Sequence, residues 1–177
     1  TLSSSSAASD VYKRQLIYLA KIGRLNLIKN IYGRIRIPEA VFYEVVTQGR
    51  ALEIVEALII EEEVGQWIFK EGIRPEIDSD YGFLDENERI GPGERQALKL
   101  CKQLNADLFI VDDKEARRAA RLLKVKTLGT CGILIQARRQ GLVSSEEAED
   151  MLNDLVKVGF RIDPILYRRV IKELSRP

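Results

Sequence analysis

Four consecutive apolar residues, Leu108-Phe109-Ile110-Val111, are followed directly by two acids, Asp112 and Asp113. A continuous apolar run this short, bounded by polar residues, marks a strand buried on both faces, as at the centre of a parallel sheet. Parallel strands cannot be joined by hairpins and need crossovers, usually helices. The flanking sequence supplies them. Glu94 to Leu104 and Lys114 to Leu123 read as amphipathic helices, Val125 to Leu128 as the next strand, and Cys131 to Gln140 as a helix ended by Gly141.

The rest of the chain follows the same alternation. Leu16 to Gly23 reads as a helix stopped by glycine, Arg24 to Tyr32 as a second, and Arg34 to Ile37 as a strand. Pro38 opens a helix at its first position, Ala51 to Ile60 is helical, and Gln66 to Lys70 is a strand. Ile73 to Asn87 is acidic and partly loop, with a turn at Gly91-Pro92-Gly93. Ser144 and Glu147 form a capping box, and Asp163 with Pro164 opens the last helix. These elements predict a single three-layer α/β/α domain around a small central parallel sheet, over residues 16–177. Residues 1–15, with a serine run and no strand alternation, read as a foreign segment rather than part of that domain. No apolar run approaches the roughly 18 residues of a membrane span, so no membrane contact is expected; the two cysteines, read as buried thiols, point to a reducing cytoplasm.

The chain has no histidine. Ser-His-Asp and Cys-His catalysis and every histidine-containing zinc site are therefore excluded. Cys101 and Cys131 are too few for a cysteine-only zinc site and lie in apolar helical patterns, as buried thiols do. Chemistry must come from carboxylates, hydroxyls, lysine, arginine or a hard cation with oxygen ligands, with Mg²⁺ or Mn²⁺ leading.

Three acidic positions stand out. Asp112 and Asp113 sit at the carboxyl end of the clearest strand, where open α/β sheets place their sites; one of them can also cap the following helix. Glu94 falls inside the apolar stripe of Ala97, Leu98, Leu100, Cys101 and Leu104, so it is either paired or ligating, or rests in the first turn on the helix dipole. Glu44 lies at the border of the stripe of Val41, Phe42, Val45 and Val46. Tyr18, Tyr43 and Trp67 are expected in the core rather than stacked on bases.

Charge is segregated along the chain. Glu53 to Glu94 holds 13 acidic and 3 basic residues, whereas Lys114 to Arg139 holds 8 basic and 1 acidic. Lys114, Arg117, Arg118 and Arg121 share one helix face, opposite Ala116, Ala119, Ala120 and Leu123. That basic stripe either binds phosphates or pairs with the acidic segment. A carboxylate cluster holding a divalent ion beside a phosphate-binding stripe points to phosphodiester hydrolysis. A phospho-acceptor domain built on Asp112 and Asp113 fits less well, because the strand-end acids do not clearly supply both an acceptor and a separate acidic pair.

Several stretches resemble the PIN-domain family, in particular its small PIN-like predicted nucleic-acid-binding proteins. They are Leu16 to Gly23, Ile37-Pro38-Glu39-Ala40-Val41 leading to Glu44, Gly93-Glu94 with Ala97, Phe109 to Asp113 with Arg117, and Gly129 to Ile133 continuing through Arg139, Gly141 and Leu142. The resemblance implies a PIN-like α/β/α fold and a metal-dependent ribonuclease. It assigns Glu44, Glu94 and Asp113 to the metal site, with Asp112 as the alternative to Asp113, and RNA as substrate. It also implies a toxin of a toxin–antitoxin pair, with an antitoxin partner and a homodimer; a catalytically inactive module that binds RNA or protein is the alternative. The family's first strand ends in an Asp four residues before the leucine that opens the first helix. Here that position is Tyr12, and the nearest acid, Asp10, is two residues upstream, about 6–7 Å away along a strand.

Overall fold

The computed structural model describes residues 9–11 and 13–176. Five short strands, β1 (Ser9–Val11), β2 (Ile35–Pro38), β3 (Ile68–Glu71), β4 (Leu108–Ile110) and β5 (Lys126–Leu128), form one parallel sheet in the order β3-β2-β1-β4-β5. Between β1 and β2 lie α1 (Lys13–Lys21) and α2 (Asn26–Tyr32). After β2 a helical stretch runs through α3 (Glu39–Phe42), a π-helical turn (Tyr43–Thr47) and α4 (Gln48–Ala51), and α5 (Val55–Glu63) leads to β3. Then come α6 (Pro75–Asp80), a 3₁₀ turn (Gly82–Leu84) and α7 (Pro92–Leu104). Beyond β4 are α8 (Lys114–Leu122), α9 (Thr130–Arg139), α10 (Ser145–Lys157) and α11 (Pro164–Leu174), with β5 between α8 and α9. The expected three-layer architecture is the one observed.

The sheet is short, and its middle is buried. Phe109, Ile110 and Val111 have no exposed surface, nor do Ile35, Ile37 and Ile68 in the neighbouring strands. Burial on both faces explains why β4 reads as a continuous apolar run rather than an alternating one. The apolar stripe of α7 packs across β1, β2 and β4, while α1 joins α5 and α10. The capping box at Ser144 and Glu147 is present in full, and Asp163 caps α11 ahead of Pro164.

Several local boundaries differ from the sequence expectations. The first helix begins at Lys13, not Leu16. β1, at the centre of the sheet, and the first turn of α1 thus come from the segment read as foreign; its residues 1–8 and Tyr12 lie outside the described residues. Pro38 closes β2 and caps the next helix instead of opening it (φ −69°, ψ 158°), because its fixed φ suits both places. The helix expected from Ala51 is interrupted: Glu53 turns left-handed at φ 56°, and α5 starts at Val55, so the acids at 61–63 end the helix from within. Trp67 is buried as expected. Tyr43 is 55% exposed, because Val41, Val45 and Val46 already fill the inward side of its helical stretch.

Candidate active site

Strand order locates the crevice. From β1 the chain steps outward to β2 and β3, then returns to the other side of β1 for β4 and β5. The winding therefore reverses between β1 and β4, and open parallel sheets form their sites at such a reversal, outside the carboxyl ends of the strands. β1 and β4 end level, with Val11 opposite Ile110. Asp112 and Asp113 follow β4, and Glu44 lies on the helical stretch that leaves β2. Glu94 joins them because α7 runs back against the strands to feed β4, so its first turn returns to the same edge.

The adjacent acids Asp112 and Asp113 divide the work. Asp113 caps α8, its Oδ1 accepting the Ala116 N–H at 2.8 Å. Asp112 instead reaches across to α9: its Oδ1 accepts the Thr130 N–H at 2.9 Å, and its Oδ2 accepts the Thr130 hydroxyl at 2.5 Å and Gln15 Nε2 at 2.7 Å. Thr130 is the first residue of α9, where unpaired N–H groups and the helix dipole favour an anion. The approach needs glycine at 129, since a Cβ there would lie 2.5 Å from Asp112 Oδ1. Gln15 is fully buried, and its Oε1 has no hydrogen-bond partner among the described residues.

Glu94 is 5% exposed, in the first turn of α7. Among the described residues it has no hydrogen-bond or ion-pair partner, although a buried carboxylate without one is costly. Glu44 sits in the π-helical turn, a local widening often found at functional positions. It accepts a charged hydrogen bond from Lys13 Nζ at 3.1 Å. Near Asp112, the Cys131 thiol is pushed up to about 12, first by burial and then by the Asp112 charge.

These groups are all oxygen donors, the chemistry that suits a hard divalent ion. Among the described residues, however, no three acids come close enough together to hold one. Glu44 is engaged by Lys13 and Asp112 by Thr130 and Gln15, whereas Glu94 has no partner among the described residues. As a ligand set the described residues are incomplete. The position where the family's first-strand Asp would stand, Tyr12, lies outside the described residues.

The cations are differently placed. Lys114, Arg117, Arg118 and Arg121 are exposed along α8, with Ala116, Ala119 and Ala120 buried opposite. None of the four forms an ion pair or side-chain hydrogen bond among the described residues. A polar cavity of about 510 Å³ opens at Asp112, lined also by Arg14, Tyr18, Gly159, Phe160 and Arg161. Sequence reasoning did not single out Thr130, Gln15 or Arg161 for the site. Thr130 had a signal, a hydroxyl residue directly after a strand-end glycine; Gln15 and Arg161 had none, because Gln15 reaches Asp112, and Arg161 the cavity at Asp112, from distant parts of the chain.

A comparison with curated proteins gives no match. A family model described as a PIN domain matches residues 14–176, nearly the whole chain, and the fold agrees with it: the chain belongs to the PIN-domain family, a family of nuclease type.

Proposed function

We propose that this PIN domain is a metal-dependent ribonuclease that binds RNA along α8 and hydrolyses its phosphodiester bonds at the crevice between β1 and β4. The observation that carries this is the run of cations on α8 that have no partner among the described residues and begin just beyond the Asp112-Asp113 pair. Unpaired surface cations gain most from phosphates, because binding releases the counterions held by the nucleic acid. Glu94, Asp112 and Glu44 are the proposed site acids. Asp113, committed to its helix cap, is the poorer candidate. A bound Mg²⁺ or Mn²⁺ would neutralise phosphate charge and activate water. Glu94 is the carboxylate free to meet it, whereas Glu44 would first have to release Lys13. A toxin role with an antitoxin partner, a homodimer and a cytoplasmic location belong to the same proposal and rest on family resemblance.

The incomplete ligand set favours a second reading, a module that binds RNA without cutting it. Residues 1–15, read as foreign, connect the two. If they replace the domain's own first strand, the parent carries an Asp at position 12 and this chain does not. One experiment separates the cases: incubation with a mixed RNA pool and Mn²⁺, with EDTA and Glu94→Gln controls, beside a Tyr12→Asp version. Cleavage abolished by both controls is expected of the ribonuclease, with Glu94→Gln still folded. Cleavage by Tyr12→Asp alone would assign the activity to the parent sequence. RNA retention without cleavage by either version would favour the binding module. Sequencing the encoding DNA from its original source tests the foreign segment independently, and an uninterrupted native reading frame would refute it.

A further inference from the structure

The cavity at Asp112 has a wall that neither the strand-end acids nor α8 supplies. It comes from the two-helix corner between α10 and α11, through Gly159, Phe160 and Arg161. This corner is built stiffly. Gly159 takes φ 96°, the left-handed region that favours glycine. Its N–H donates to Val156 O at 3.1 Å and the Phe160 N–H to Leu155 O at 2.9 Å, the paired bonds of a Schellman helix stop. Phe160 then meets Tyr18 of α1 edge to face, with ring centroids 5.4 Å apart, and the Tyr18 hydroxyl donates to Gly159 O at 3.2 Å. Two residues after Arg161, Asp163 caps α11 and restarts regular structure. Arg161 is therefore held between a closed helix end and a capped helix start. It is exposed, and among the described residues it has no ion-pair or side-chain hydrogen-bond partner.

We infer that Arg161 is a phosphate-positioning residue, and that the cavity it lines is a subsite for an RNA nucleotide next to the one at Asp112. This rests on the RNA reading above. The cations of α8 approach Asp112 from the β4–β5 side, whereas Arg161 approaches from the side of α1. An RNA strand crossing Asp112 thus meets positive charge before and after the acid. Polarity fits this occupant better than an apolar ligand, since Arg14, Asp112 and Arg161 line the cavity, beside the aromatic pair Tyr18 and Phe160. Because the corner already fixes the backbone that carries Arg161, contact costs only the freedom of its side chain and no ordering of a loop.

The test is the binding of a short, unstructured, fluorescein-labelled RNA to the full chain in EDTA, followed by anisotropy over a salt series. Each phosphate contact on a single strand contributes about 0.7 to the slope of log affinity against log salt. Arg161→Ala is expected to reduce the slope by about 0.7, which is about a fivefold loss of affinity at 0.1 M salt that vanishes near 1 M. Arg161→Lys should restore most of the slope, because the charge is kept. Arg168→Ala, on α11 but outside this cavity, should bind as the unchanged chain does. The subsite is refuted if Arg161→Ala keeps full slope and affinity while Arg117→Ala lowers both. Equal losses in Arg161→Ala and Arg161→Lys, with a lowered melting temperature, would mean a structural role and would also refute it. If the unchanged chain binds no RNA even at low salt, the RNA reading itself fails, and the subsite with it.

Discussion

The acidic stretch from Glu53 to Glu94 and the basic stretch from Lys114 to Arg139 are mirror images in charge but not in use. Five of the thirteen acids are tied to partners within the fold. Asp78 and Asp85 both hold Lys99 at 2.6 Å, Glu61 holds Arg50 at 2.9 Å, Glu71 holds Arg36, and Glu63 accepts the Trp67 indole N–H. The cations of α8 are not consumed, and among the described residues no ion pair joins the two stretches. Opposite charge along a sequence therefore does not mean internal neutralisation. One block ties down the segment that crosses α7, and the other remains open to an anion from outside. Of the acids without a partner among the described residues, Glu94 is the one that is buried.

The sharpest way to break this contrast is at Lys99, which is 2% exposed on α7. Lys99→Ala removes the buried cation of α7 that holds both Asp78 and Asp85, leaving only Arg95 on Asp85, together with the packing of its buried stem. A loss of about 2–3 kcal/mol is expected from urea unfolding, below the full cost of a broken buried pair because both aspartates can return to water. A change within about 0.5 kcal/mol would show that the acids serve no structural purpose there. Burial works to lower the Lys99 pKa, but Asp78 and Asp85 outweigh it and the net shift is upward. With the folded value raised, the stabilisation is complete below the ordinary lysine value of 10.5 and is lost as pH rises through the folded one. Unfolding free energy should therefore fall in the alkaline range above 10.5, and Lys99→Ala should flatten that fall.

The basic side gives a smaller effect of a different kind. Arg118→Ala on α8 should leave unfolding within about 0.5 kcal/mol of the unchanged chain, since its side chain holds nothing in the fold. Its RNA affinity should drop about fivefold at 0.1 M salt, with the salt slope reduced by about 0.7. A stability loss without a change in slope would invert the contrast and make α8 a structural face. The smallest effect is at Cys131. With its thiol pushed up to about 12, alkylation by iodoacetamide at neutral pH should be far slower than for an unhindered thiol. Asp112→Asn should speed it modestly by removing the negative charge beside the thiol, while burial remains. Rapid alkylation in the unchanged chain would place Asp112 and Cys131 in a more open crevice than described.

Much of the fold was legible because it is written in contiguous residues. The apolar run at 108–111, the stripe on α7, the capping box at Ser144 and the Asp163-Pro164 start each need only a few neighbouring positions. The failures were at joints. The left-handed turn at Glu53 and the π-helical turn around Glu44 have no periodic signal. The strand at 9–11 is too short to show alternation, and its place between β2 and β4 is a property of the sheet rather than of its sequence. For the site, the burial of Glu94 was foreshadowed by its place inside the α7 stripe. Which of Asp112 and Asp113 would cap α8 was left open, because both are good caps one residue apart.

By itself, the sequence determined the parallel α/β/α architecture, the absence of any histidine chemistry and the candidate set of acids and cations. Periodicity, capping and composition are local quantities, and each was fixed by residues within a turn or two of one another. Only the tertiary structure decided who meets whom. Lys13 finds Glu44 across 31 positions, Gln15 finds Asp112 across 97, and Tyr18 finds Gly159 across 141. Those meetings follow from the reversal of strand order at β1, which folds distant segments onto one sheet edge. A strand's neighbour is chosen by the packing of the whole chain, and no local pattern in the sequence records that choice.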